Sequence, residues 1–128
     1  KINMKKIIST QKAPAAIGPY SQAILIDNTL YCSGQIAIDP KSEELIINNI
    51  INETNQVMKN ILAVLKSVKM DFTNVVKCSI FIKDMKKYNE INNVYSKYFQ
   101  NHHPARELVE VSGLPKNVNI EMSVIAVY

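Results

Sequence analysis

Between Asn52 and Met70 apolar side chains return every three to four residues, with Val57, Met58, Ile61, Leu62, Leu65 and Val68 on one stripe and Asn55, Lys59, Asn60 and Lys66 on the other. That is the period of an amphipathic helix. A Met and Leu stripe of this kind is core, so the helix is expected to pack on a sheet and to end at Asp71–Asn74. From Val75 the period drops to two: Val76, Cys78, Ile80 and Ile82 alternate with Lys77, Ser79, Phe81 and Lys83, which predicts a strand with one buried face. Asp84 then serves as an N-cap, and Tyr88, Ile91, Asn92, Tyr95 and Phe99 give a second amphipathic helix.

The two ends of the chain read as β structure. Lys5–Ser9, Gln22–Ile26 and Thr29–Ser33 are predicted strands, the last two joined by the hairpin signal Asp27-Asn28. Thr10–Pro19 is a loop, and Gly34 is a position where a backbone or a ligand can approach closely. Asp39-Pro40-Lys41 forms a turn, and the runs Glu107–Ser112 and Val118–Tyr128 are strands separated by a turn at Gly113–Asn117. The order is three strands, helix, strand, helix, two strands. We expect residues 1–128 to form one α+β domain, a mixed sheet with both helices on one face. The other face carries apolar side chains such as Phe81, and another copy of the chain is its simplest cover.

Composition adds exclusions. A length of 128 residues with 47% hydrophobic and 20% charged side chains supports a core without disulfides or metal. The net charge of +4 permits a nucleic-acid partner but does not indicate one, because the lysines are scattered and no basic tract is interleaved with aromatics. Cys32 and Cys78 lie inside apolar runs, as free thiols of a reduced, intracellular protein do. With two histidines and no close-spaced cluster, a zinc site is not expected. No apolar run approaches the roughly 20 residues that span a bilayer. Ile7-Ile8 is too short for a signal-peptide core, and Met4 is a candidate native start, so the cytoplasm is the expected compartment, with an organelle left open.

The candidate chemistry lies near the C-terminus. Arg106 stands at the mouth of one predicted strand and Glu121 lies in the next. A guanidinium fork that grips a carboxylate, beside an ionised glutamate, makes a small-acid site; a structural ion pair of Arg106 with Glu110 or Glu121 is the alternative. His102-His103 would suit acid-base chemistry, yet adjacent side chains in a loop share no face, and we read them as solvated or rim residues.

Taken together, Gly18-Pro19-Tyr20-Ser21-Gln22-Ala23, Ser33-Gly34-Gln35-Ile36, Pro104-Ala105-Arg106 with Val109-Glu110-Val111, Leu114-Pro115-Lys116 and Ile120-Glu121 resemble the reactive intermediate/imine deaminase A (RidA) family, also called YjgF or L-PSP. The motifs are co-linear and span essentially the whole chain. The resemblance implies a chorismate-mutase-like fold, a homotrimer and sites in clefts between subunits. It implies hydrolysis of enamines and imines such as 2-aminoacrylate to 2-keto acids and ammonia, with no metal and no cofactor. By resemblance Arg106 binds the substrate carboxylate, Glu121 attends the hydrolytic water, and Tyr20, Gly34 and Asn92 belong to the same cleft.

Three positions depart from the family pattern: Glu107 and Leu108 replace small residues, and Ser123 stands where a second glutamate is frequent. On a strand Glu107 is expected to point away from Arg106, whereas Leu108 shares its face and would narrow or dry the cleft. The substrate range is therefore what these positions put in question. Some members of the family are named endoribonucleases acting on single-stranded RNA and inhibiting translation, which is the rival function. A third reading is a non-enzymatic trimer that binds small acids.

Overall fold

The computed structural model describes residues 4–128; Lys1 to Asn3 lie outside the described residues. The elements are β1 (Lys5–Ile8), β2 (Ala23–Ile26), β3 (Thr29–Cys32), α1 (Ile50–Lys66), β4 (Val75–Ile82), α2 (Tyr88–Tyr98), β5 (Ala105–Glu110) and β6 (Ile120–Val127). Their order matches the hydrophobic pattern, and only the ends move. The first helix starts two residues before Asn52, where Asn49 caps it by accepting a hydrogen bond from the Asn52 amide. Asp71 and Asn74 form a reciprocal capping box on the short turn that follows it. Asp84 caps a 3-10 turn, Met85–Lys87, that leads into α2 rather than capping α2 itself.

One six-stranded sheet runs β1-β2-β3-β6-β4-β5. All neighbours are antiparallel except β4 and β5, which are parallel and joined by α2 as a crossover. The turn at Gly113–Asn117 therefore does not make a hairpin: it links β5 to β6 across β4, which lies between them. In β4 the buried residue is Val75 rather than Val76, because a register shift between Val75 and Lys77 turns Val76 outward. Beyond that bulge Cys78, Ile80 and Ile82 point inward as the alternation predicts.

The core lies between this sheet face and the two helices. Val57, Met58, Ile61, Val64 and Leu65 of α1 meet Ile80, Ile82, Ile120 and Met122 of the sheet, with Ile91 and Phe99 closing the side. Each such Ile or Leu contributes about 1.5–3 kcal/mol by leaving water. Asn60 is a correction to the polar stripe. It is buried, and its amide donates to the carbonyls of Ile36 and Ile38, so the polar group is satisfied inside.

The opposite face of the sheet is uncovered in one chain. Tyr31 and Ile7 are exposed there, and Phe81 and Ile125 only half-buried. No helix among the described residues is long and apolar enough to cross a membrane.

Candidate functional site

Strand pairing decides which candidates can meet. Cys78 pairs with Arg106 and Ile80 with Leu108, whereas Phe81 pairs with Glu121 and Ser79 with Glu107 and Ser123. Paired residues share a face and successive residues alternate. Arg106 and Leu108 therefore belong to the helix-covered face, and Glu107, Glu121 and Ser123 to the open one. The two principal candidates project from opposite sides of the same sheet.

On the covered side Arg106 sits in edge strand β5, beneath α2. Tyr88, Asn92 and Tyr95 recur at helical spacing along the face of α2 that meets it. The Arg106 Nη1 donates to Asn92 Oδ1 at 2.8 Å and Nη2 to the Tyr88 hydroxyl at 3.0 Å. Its guanidinium carbon lies 4.9 Å from the centre of the Tyr95 ring and 5.8 Å from that of Tyr88, within cation–π range. Among the described residues Arg106 makes no ion pair with Glu110 or Glu121. Glu110 instead accepts from the Met85 amide at 2.7 Å, and Glu107 bonds Lys77 at 2.9 Å on the open face. The structural ion pair that the sequence left open is not formed.

Behind Arg106 the Tyr95 hydroxyl is buried beside the Cys78 thiol and has no hydrogen-bond partner among the described residues. Burial raises the pKa of both groups. At Tyr88 the pKa is lowered, first by the Asn92 hydrogen bond and then by the Arg106 charge. Leu108 packs against the main core.

On the open side Glu121 lines a niche of about 50 Å³ with Gly34, Gln35, Tyr20, Ile17 and Pro115. Gly34 is there for space: a Cβ at this position would overlap the Glu121 carboxylate and come within 2.8 Å of its Cδ. Half-burial raises the Glu121 pKa. Tyr20 is half-exposed, its hydroxyl accepting from the Ile17 amide at 3.3 Å. A wider groove of about 780 Å³ under the loop 9–17 shares Ile17 and Tyr20 with the niche and does not include Arg106.

Three buried polar side chains hold these loops, and pattern reading did not give them a role. Gln22 donates to the carbonyls of Thr10 and Pro14 and accepts from the Thr10 amide, pinning the loop that leads to Tyr20. Asn60 pins the segment after Gly34. Glu53, fully buried on α1, accepts from the amides of Asn119 and Ile120 and from the Asn119 side chain, and so fixes the start of β6 just before Glu121. Glu53 stands four residues past Asn49, as an acidic residue of the first turn, and only its burial reveals the partners. Tyr88 and Tyr95 belong to the amphipathic stripe of the second helix, and their i, i+7 spacing with Asn92 between them is the signal that links them to Arg106.

The histidines separate. His102 is half-buried, with Nε2 2.8 Å from the Val75 carbonyl oxygen and its ring edge-on to Phe99, so it is a packing residue rather than a solvated one; His103 is exposed. Among the described residues no group of three His, Cys, Asp or Glu side chains could hold a metal ion.

With this geometry in hand, four likenesses place the chain. The family described as endoribonuclease L-PSP matches residues 10–128. The 2-iminobutanoate/2-iminopropanoate deaminase of Capra hircus is 47% identical over 124 residues, covering 97% of this chain and 90% of that protein. Among solved structures, YyfA of Yersinia pestis, described as a protein of unknown function of the Rid family, superposes with a TM-score of 0.95 at 45% identity, covering 98% of this chain and 100% of that one. TdcF of E. coli with bound serine gives 0.92 at 34% identity over 96% of this chain and 98% of its own. The chain belongs to the endoribonuclease L-PSP family, the RidA or YjgF proteins.

Proposed function

We propose that the protein hydrolyses reactive enamines and imines that carry a carboxylate, such as 2-aminoacrylate, to 2-keto acids and ammonia, without a cofactor. The observation that carries this reading is Arg106: a guanidinium held by neutral partners and without a carboxylate partner among the described residues, in a chain whose goat relative is named an imine deaminase. The serine bound by TdcF has the same carboxylate to offer such a group.

2-Aminoacrylate takes a proton at its methylene carbon to become 2-iminopropanoate. Water then adds to the imine carbon, the carbon–nitrogen bond breaks, and pyruvate and ammonia leave. The imine is already reactive, so holding the acid and aiming the water supply most of what is needed. Arg106 takes the carboxylate through paired hydrogen bonds, for which three of its five N–H groups remain. Glu121 orients the water or accepts its proton, and the burial that raises its pKa makes it a stronger base than an exposed glutamate. Its niche of about 50 Å³ has room for a water.

We propose a homotrimer, and the same geometry supports it. Arg106 and Glu121 lie on opposite faces of one sheet, so a shared substrate needs Arg106 from one copy and Glu121, Gly34 and Tyr20 from the next. Edge strand β5 brings Arg106 to the rim where a neighbour's open face can reach it, and that face has apolar area to bury. The cytoplasm is the compartment we propose, on the free buried thiols Cys32 and Cys78.

One coupled assay tests the reading. 2-Aminoacrylate is generated in situ and pyruvate formation is followed with and without the protein; acceleration is expected. An unchanged rate, together with salt-sensitive cleavage of single-stranded RNA, would transfer the function to the nuclease named in the family description.

A further inference from the structure

We propose that Tyr88 is a positioning residue for carboxylate recognition, its phenol oxygen fixing the plane in which Arg106 presents its free N–H groups; this rests on the role given above to Arg106. A guanidinium bonded only through Nη1 to Asn92 can pivot about that contact. The bond from Nη2 to Tyr88 removes the pivot. Tyr88 and Asn92 lie one helical turn apart on α2, so the helix backbone sets the separation of the two acceptors. Tyr95, nearly two turns from Tyr88, places its ring near the cation as a third constraint.

The hold is made of neutral acceptors. A carboxylate in place of Tyr88 or Asn92 would satisfy the guanidinium charge and compete with the substrate; a phenol and an amide orient it and leave the charge available. The Tyr88 oxygen accepts from Arg106, so its own O–H proton is directed elsewhere.

Tyr88→Phe is the informative variant, because it keeps the ring and the packing of α2 and deletes one oxygen. With 2-iminobutanoate generated in situ, KM is expected to rise about five- to tenfold, the effect of losing one hydrogen bond that orients a charged group, with kcat within about twofold. The dissociation constant of 2-oxobutanoate, measured by calorimetry, is expected to weaken by the same factor while butanone binding stays unchanged. A merely structural role would instead shift the melting temperature or affect both ligands alike. Wild-type KM and 2-oxobutanoate binding in Tyr88→Phe would overturn the proposal, as would a fall in kcat at constant KM. Arg106→Ala separates the two layers of the argument. If it leaves 2-oxobutanoate binding intact, the carboxylate role of Arg106 fails; if it abolishes binding while Tyr88→Phe changes nothing, only the role of Tyr88 fails.

Discussion

Arg106 and Glu121 are held by opposite strategies. Arg106 is gripped by side chains of its own chain: two hydrogen bonds from one face of α2 and two aromatic rings fix a long, flexible cation before any ligand arrives. Glu121 is placed by backbone. Its strand start is tied down by buried Glu53, and Gly34 vacates the volume that the carboxylate fills. A cation presented to a substrate carboxylate gains from being oriented, whereas a carboxylate that handles water gains from partial burial, which raises its pKa toward neutrality. The difference teaches that the two halves are built separately, each on its own side of the sheet, so that the proposed site brings them together only through another copy.

The sharpest way to break this comparison is to destroy one half at a time. Glu121→Gln keeps the shape and removes the basic group; kcat is expected to fall about a hundredfold or more, the range for losing a general base. Arg106→Lys keeps the charge and replaces the fork with a point. Its expected cost is about 1.5–3 kcal/mol, a ten- to hundredfold loss in kcat/KM that is confined to acid substrates. Unfolding and refolding the two variants together in equal amounts is expected to restore about a quarter of wild-type activity, because a random quarter of the interfaces then pairs an intact Arg106 with an intact Glu121. If mixing recovers nothing while each variant still assembles, the two residues do not share an intersubunit site.

Smaller changes sharpen the Glu121 half. Gly34→Ala needs no unusual backbone, since none of the described glycines has a positive φ, so its effect is steric. The methyl group displaces the Glu121 carboxylate, and a loss of about tenfold in kcat with a melting temperature near wild type is expected, the cost of misplacing a catalytic group. Retained kcat would show that the close approach has no catalytic use.

The pH profile carries a sign. If ionised Glu121 is the working form, kcat/KM falls as pH drops through its raised pKa, so the acid limb lies higher than that of an exposed glutamate and is absent in Glu121→Gln. For stability the same shift runs the other way. A folded-state pKa above the unfolded one contributes stability that is full below the unfolded pKa and is lost as pH rises through the folded one. Glu121→Gln should therefore melt no lower than wild type at neutral pH, and a clear drop would mean that the carboxylate is structural.

The smallest effect belongs to the histidines. Replacing both His102 and His103 by alanine is expected to leave imine hydrolysis intact and to lower stability by about 0.5–1.5 kcal/mol, through the lost contact with the Val75 carbonyl. Lost activity in a folded, assembled double variant would bring them into the site.

The sequence by itself determined the element order and most of the core, because hydrophobic periodicity is a local property: the stripe of α1 and the alternation of β4 are visible within twenty residues. It also placed Arg106, Glu121, Tyr20, Gly34 and Asn92 as candidates through co-linear motifs. What it could not carry was pairing. That β4 lies between β5 and β6, and so sends Arg106 and Glu121 to opposite faces, follows from contacts between residues far apart in the chain, where a shift of one residue would turn every side chain over. The same holds for Asn60, Glu53 and Gln22. Each has an ordinary polar side chain in the sequence, and only the tertiary structure, by burying it against the backbone groups of a distant loop, decided that it holds the site in place.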